Sequence, residues 1–168
     1  MEQLVIRNAT YGDIPSIIEV DLSSTTKDEL LGFTTPEWVT YSSPDELMKF
    51  WAEGNGLKDG SEIIVAVKDG KIIGFIVFKK ERDNLYIDNL HIIRDQQRRG
   101  VGRALVTHVE NVALASGYSV IKTDTTENAQ GIPWKSYGFW TKMGYRDTGE
   151  RLPTKWDFMI IPFVKNLK

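Results

Sequence analysis

Residues 84–125, NLYIDNLHIIRDQQRRGVGRALVTHVENVALASGYSVIKTDT, constrain the fold more than any other stretch. An apolar run, a basic glycine turn, an amphipathic run and a second β-branched run follow one another without a linker. Strand, helix and strand in that order make a βαβ unit, so the two strands are expected to be parallel with a right-handed crossover. The helix is expected from about Gly100 to Ala115, with Val101, Leu105, His108 and Val112 on one stripe and Gly117 as its C-cap. In the strand at 84–93, strict alternation puts Leu85, Ile87, Asn89 and His91 on one face. Tyr86, Asp88, Leu90 and Ile92 take the other.

Ahead of this unit, EIIVAVKDGKIIGFIVFKK reads as a hairpin, because two β-branched runs flank Asp69-Gly70, a favoured tight-turn pair. LVIRNA at 4–9 is a first strand. Thr10 and Asp13 form a capping-box-like start for a helix running to about Ser23, with Ile14, Ile17, Ile18 and Leu22 at helical spacing. Residues 24–43 look irregular, and a helix is expected at about 44–53. Pro133 and Gly144 bracket a further helix, and KWDFMIIPF at 155–163 is a last strand. The expected fold is α/β, one domain over 1–168, with a mixed sheet in which antiparallel strands come first.

Charged residues make up 26% and hydrophobic residues 41%, the balance of an ordinary globular chain. With no Cys, disulfides, thiolate metal sites and a cysteine nucleophile are all excluded. Only His91 and His108 are present, so a multi-histidine metal site is not expected. A net charge of -2 argues against a general nucleic-acid binder. The absence of a signal-peptide pattern and of any apolar run long enough for a membrane span predicts a soluble, cytoplasmic protein.

The basic turn carries the chemistry. Arg94, Arg98, Arg99 and Arg103 surround Gly100 and Gly102 where a helix begins. A helix N-terminus offers free N–H groups and a positive dipole end, and glycine lets a ligand approach the backbone. A phosphate or pyrophosphate is the natural guest. No Walker A string is present. A dinucleotide fingerprint fails at its third glycine, where Leu105 stands, although Asp124 lies where a ribose-binding acid would sit.

LHIIRDQQRRGVGRAL resembles the acyl-CoA-binding motif of the GCN5-related N-acetyltransferases (GNAT), whose core is [Q/R]-x-x-G-x-[G/A]. Gln97, Gly100 and Gly102 fill that core, and Leu90 and Ile92 match the apolar strand positions before it. The order of elements agrees along nearly the whole chain. The resemblance implies a mixed, mostly antiparallel sheet with a central parallel βαβ pair and helices on both faces. It implies acetyl-CoA as co-substrate, without metal. The N–H groups of Gln97, Arg98, Arg99, Gly100, Val101, Gly102 and Arg103 would then hold the pyrophosphate. Leu90, His91 and Ile92 would meet the pantetheine arm, Asn128 would touch it, and Lys142 is counted with the same set. The Ile92 N–H would meet the oxyanion.

A lysine-like amine has a pKa of ~10.4, so freeing its lone pair at pH 7 costs roughly 4–5 kcal/mol. A thiol near ~8.5 leaves as thiolate at a cost of only about 2 kcal/mol. A general base therefore matters more than a general acid. On the motif strand Tyr86 and Asp88 are the base candidates, and His91 is read as a packed or half-exposed strand histidine. The family often has a tyrosine acid on the last helix, but Trp140 stands there, so the thiolate is left to Tyr137, one turn earlier, or to water. Glu19, Asp21, Asp28 and Glu29, with Phe33 and Trp38, suit a cationic amine. A small amine such as a polyamine and a peptide or protein amine both stay open as acceptors, and a homodimer is allowed. Two other readings compete: a non-catalytic acyl-CoA sensor, kept alive by Trp140, and an NAD-binding oxidoreductase resting on Gly100, Gly102 and Asp124.

Overall fold

The computed structural model describes residues 3–34 and 60–168. The helix expected at 44–53 lies outside the described residues. The chain opens with β1 (Val5–Asn8), a 3-10 turn (Tyr11–Asp13) and α1 (Ile14–Ser24). A short α2 (Lys27–Leu30) follows, then β2 (Glu62–Lys68), β3 (Lys71–Lys80) and β4 (Leu85–Ile92). After a 3-10 turn come α3 (Val101–Ala115), β5 (Val120–Glu127) and α4 (Ser136–Lys142). Two-residue strands β6 (Arg146–Asp147) and β7 (Leu152–Pro153) precede β8 (Met159–Asn166).

The strands form a sheet in the order β1-β2-β3-β4-β5-β8-β6, with β7 also on β8. Every pairing is antiparallel except β4 with β5. At the β2–β3 hairpin Asp69 and Gly70 both have positive φ, 50° and 74°. That is the backbone a tight turn needs to match strand twist, and few residue pairs other than Asp-Gly tolerate it.

Alternation along β2 and β3 sorts two cores. Ile63, Val65, Phe75 and Val77 pack under Ile14, Ile17, Ile18 and Val20 of α1. Ile64, Ala66, Ile76 and Phe78 pack on the opposite face, with Val101, Leu105, Val106, Val109 and Ala113 of α3. Helices therefore cover both faces. Three expected stripe positions are corrected. Leu22 is 43% exposed, because α1 turns Val20, Asp21 and Ser24 inward. On α3 the buried stripe runs through Val106 and Val109, leaving His108 and Val112 at its half-buried edge.

β4 departs from the expected alternation. Its register on β3 pairs Val77 with Asn89 and Phe78 with Ile87, so Asp88 is an extra residue, a β-bulge. The bulge moves the later residues to the other face. Leu85, Ile87, Leu90 and Ile92 all pack in the α3 core, while His91 sits opposite Phe75 on the α1 side. The predicted face pairing of Asp88 with Leu90 and Ile92 is therefore wrong.

Candidate functional site

The site begins where the two parallel strands part. β4 and β5 pair only at Leu85–Ile121 and Tyr86–Lys122. Beyond that point two side chains span the seam. Thr123 Oγ1 donates to the Ile87 carbonyl at 3.0 Å, and the Tyr86 hydroxyl donates to the Asp124 carboxylate. Past them the strands open, which leaves one edge of β4 without a strand partner. The Ile93 N–H donates to Ile73 O on β3. Successive residues of a strand aim their backbone groups at alternate edges, so the N–H groups of Leu90 and Ile92 face the open side.

A cavity of about 210 Å³ occupies the opening, lined among others by Asp88, Asp124, His91 and Trp140. It adjoins a cleft of about 850 Å³ that runs to the start of α3 and is lined by Ile92, Gln97, Arg98, Gly100, Gly102 and Arg103. Leu90, His91, Trp134, Ser136 and Phe139 border both spaces. Phe33, which meets Trp134 with ring centroids 5.1 Å apart, also borders the smaller one.

The turn before α3 is built tightly. Arg98 and Gly100 have φ of 61° and 85°, and Gly100 is the residue from which the helix starts. The Gln97 side-chain amide donates to Ser24 O and Ile92 O, both at 2.9 Å, which ties the turn to the ends of α1 and β4. Arg98 and Arg103 stand on the cleft wall, exposed or nearly so. Glu29 of α2 stands beside Lys135, a residue of the cleft wall. It accepts from Arg94 at 2.7 Å and lies 3.8 Å from the Lys135 ammonium, so it is paired on both sides. The Arg94 hydrogen bonds, aided by the Thr26 N–H, lower its pKa to about 2.

The sequence-predicted residues divide sharply. Leu90, His91, Ile92, Gln97, Arg98, Gly100, Gly102, Arg103 and Lys142 line the cleft, and Asp88 lines the cavity. Others lie elsewhere. Tyr137 donates its hydroxyl to Asp147 at 2.9 Å and packs edge-on against Phe163, away from both spaces. Asp147 is itself held by Arg151, which lowers its pKa to about 2, so that hydroxyl is committed. Asn128 Oδ1 accepts from the N–H groups of Gln130 and Ile132 and closes its own loop. The Val101 side chain is core, and Arg99 is not among the lining residues. The Tyr86 hydroxyl is engaged by Asp124, and burial together with that neighbouring charge pushes its pKa up. The His91 carbonyl faces β3, 3.1 Å from where a Gly74 Cβ would sit, so the backbone of His91 does not face the open edge.

Gly102 has a second reason to be glycine. A Cβ there would come within 3.2 Å of the Phe139 ring, so the bare backbone lets α4 pack against α3. Asp124, weighed in the sequence only as a ribose-binding acid, lines the cavity. Trp140 is buried at its wall.

With this geometry in place, comparison with known proteins decides the family. The model of the acetyltransferase (GNAT) family matches residues 25–145. The chain belongs to the GNAT acetyltransferase family. It is an acyl-CoA-dependent N-acyltransferase with acetyl-CoA as co-substrate. Its fold is shared with solved GNAT structures. One is the PaiA N-acetyltransferase of Thermoplasma acidophilum in complex with coenzyme A, 19% identical, TM-score 0.68, covering 95% of this chain and 98% of that one. A second is the ribosomal-protein-S18-alanine N-acetyltransferase of Escherichia coli, 15% identical, TM-score 0.68, covering 98% and 94%. A third is an aminoglycoside 6'-N-acetyltransferase complexed with coenzyme A, 16% identical, TM-score 0.69, covering 98% and 97%.

The residues of this GNAT acetyltransferase fit the co-substrate. The cleft has an exposed cationic wall, a helix N-terminus entered through glycine, and an open strand edge leading to the cavity. Among the described residues there is no cluster of three or more His, Asp or Glu side chains able to hold a metal. None of the described helices is long and apolar enough to cross a membrane.

Proposed function

We propose that the protein transfers the acetyl group of acetyl-CoA to the primary amine of a small cationic molecule. The observation that carries this reading is the cavity at the parted strands. It is about 210 Å³, carries the carboxylates of Asp88 and Asp124, and is walled by Phe33, Trp134, Phe139 and Trp140. Carboxylates and aromatic faces together attract an ammonium group. Burial pushes the Asp124 pKa up, partly opposed by the hydrogen bond from Tyr86, and an arriving cation relieves that cost.

In this reading the N–H groups at the start of α3, with Arg98, Arg103 and Lys142, hold the pyrophosphate. The open-edge groups of Leu90 and Ile92 pair with the pantetheine arm. The Ile92 N–H meets the carbonyl oxygen as it gains charge, the position at which a fixed donor lowers the barrier most. Asp88 lies 3.8 Å from the Lys79 ammonium and recognises the acceptor's charge. Trp140 has no proton to give near neutral pH, so the leaving thiolate takes its proton from water. Peptide N-termini are the weaker alternative, since a main-chain amine presents less charge to a doubly acidic cavity. Trp140 also supports the sensor reading, in which acetyl-CoA binds without turnover.

The test is thiol release from acetyl-CoA in the presence of spermidine, an aminoglycoside, or a short peptide with a free N-terminus. Faster release with either small polycation is expected. Acetylation of the peptide alone would overturn the choice of acceptor. Acetyl-CoA binding with no turnover on any of the three would leave the sensor reading.

A further inference from the structure

We infer that His91 is the general base that deprotonates the acceptor amine, and that Asp21 and Ser24 of α1 position its ring. The inference rests on the amine-acetylation reading above.

Three contacts fix the imidazole. One ring face stacks on Phe75, centroids 5.2 Å apart and 27° between planes. Nδ1 lies 3.0 Å from Ser24 Oγ, and Ser24 Oγ itself donates to the Asp21 carbonyl at 3.0 Å. The Asp21 carboxylate is 3.9 Å from Nδ1. A hydroxyl that donates its one hydrogen to a carbonyl can only accept from the ring. With Ser24 Oγ donating to the Asp21 carbonyl and the Asp21 carboxylate 3.9 Å from Nδ1, we assign the proton to Nδ1 and the free lone pair to Nε2. Asp21 and Ser24 are buried, whereas the His91 side chain is 18% exposed. With one face on Phe75 and Nδ1 on Ser24, the remaining contacts of the ring are left to the two spaces it borders. His91 borders both the acetyl-CoA cleft and the acceptor cavity. A carboxylate, a correctly tautomerised imidazole and a reaction space in line are the elements of a positioned base.

Among the described residues, the charged groups near the ring pull in opposite directions. Asp21 on α1 raises the His91 pKa, Lys135 just before α4 lowers it, and burial lowers it most, leaving it below its ordinary value. Glu29 of α2 lies 3.8 Å from Lys135 and mutes that cation. Asp88 of β4 and Asp124 of β5 line the same cavity as the ring. At neutral pH the imidazole is thus uncharged and able to accept.

The step balances as follows. The acceptor ammonium gives one proton to His91 Nε2. The freed lone pair forms the C–N bond to the acetyl carbonyl carbon while the C–S bond breaks, and that electron pair leaves on sulfur. The second nitrogen proton passes to water as the amide forms, and the thiolate is protonated from water. His91 returns its proton to solvent, so amide, free thiol and one proton are released.

The test uses the best acceptor from the panel above. In the wild type, kcat/KM is expected to fall on acidification with a midpoint below pH 6.5. His91→Gln is expected to keep acetyl-CoA affinity within about threefold, to lose about 10²-fold or more in kcat, and to lose the acidic limb. Asp21→Asn removes a charge that raises the His91 pKa, so the limb should move to lower pH, a shift that a merely structural role for Asp21 would not produce. Exogenous imidazole should restore part of the activity of His91→Ala. Retention of kcat within about threefold in His91→Gln, or an unmoved limb in Asp21→Asn, would overturn the assignment. Failure of the amine reading would look different: the wild type would bind acetyl-CoA and release no thiol with any acceptor.

Discussion

Gly100 and Gly102 stand two residues apart for different reasons, and substitution separates them. Gly100 has φ of 85° and nothing within 4 Å of an added Cβ, so Gly100→Ala should cost about 1–2 kcal/mol from backbone conformation alone. Gly102 has helical backbone but meets Phe139 at 3.2 Å. There the helix gain of roughly 0.5–1 kcal/mol from Ala offsets the crowding. Gly102→Ala should therefore change urea stability little and weaken acetyl-CoA binding through the displaced ring. Equal losses of stability in the two variants, measured by denaturant titration, would contradict this division. His91 gives a second residue-scale expectation. Its folded pKa is lowered by burial, so the unfolded state binds more protons as pH falls through about 6.5. Stability should be fully held above that value and decline below it. That decline precedes the acid loss expected from Asp13, Glu29 and Asp147, each lowered to about 2. His91→Gln should abolish the earlier decline and leave the later one.

At the scale of elements, Glu29 is the contact that links α2 to Arg94 before α3 and to Lys135 before α4. Its exposed ion pairs are worth little to folding, typically under 1 kcal/mol, yet they hold Arg94 and Lys135 away from an incoming anion. Glu29→Gln should tighten acetyl-CoA binding up to about fivefold at low salt, read by calorimetry. Weaker binding would mean that α2 shapes the cleft rather than competing for its cations. The element most informative about reading a sequence is β4. Alternation was legible there, but the apolar residues sit at 85, 87, 90 and 92, and the spacing of three between Ile87 and Leu90 marks the bulge at Asp88. Strict period-two reading passed over that slip and set His91 against the wrong neighbours. The turn before α3 was legible because glycine and arginine chemistry is local. Tyr137 was not, since only the tertiary position of Asp147 and Arg151 shows where its hydroxyl goes. β6 and β7, two residues each, gave no pattern that could have been read.

Across the whole molecule, the sheet is two antiparallel blocks joined at a short seam. β1 to β4 carry the α1-side core, β5, β8, β6 and β7 form the second block, and the α3-side core runs across both through Ile121, Ile161 and Phe163. Two register pairs, the Thr123–Ile87 bond and the Tyr86–Asp124 bond cross between the strands. That economy leaves the backbone of β4 free for a ligand, and it makes the seam the place where ligand binding should add most cohesion. The cleft is bordered by α3 and β4 on one side and by α4, reached through β5, on the other, so a ligand seated in it would touch both. A ligand that binds only the folded state at a hundredfold excess over its Kd stabilises by about 2.7 kcal/mol. For a chain of this size each kcal/mol raises Tm by roughly 2–4 °C. Thermal unfolding should therefore shift up by about 5–11 °C with saturating acetyl-CoA. The gain should appear in hydrogen exchange as slower exchange of the Leu90 and Ile92 amides, which face the open edge. The Ile93 amide, already bonded to Ile73, should change less. A Tm shift with equal protection at all three would show that the ligand stabilises the fold without pairing with β4.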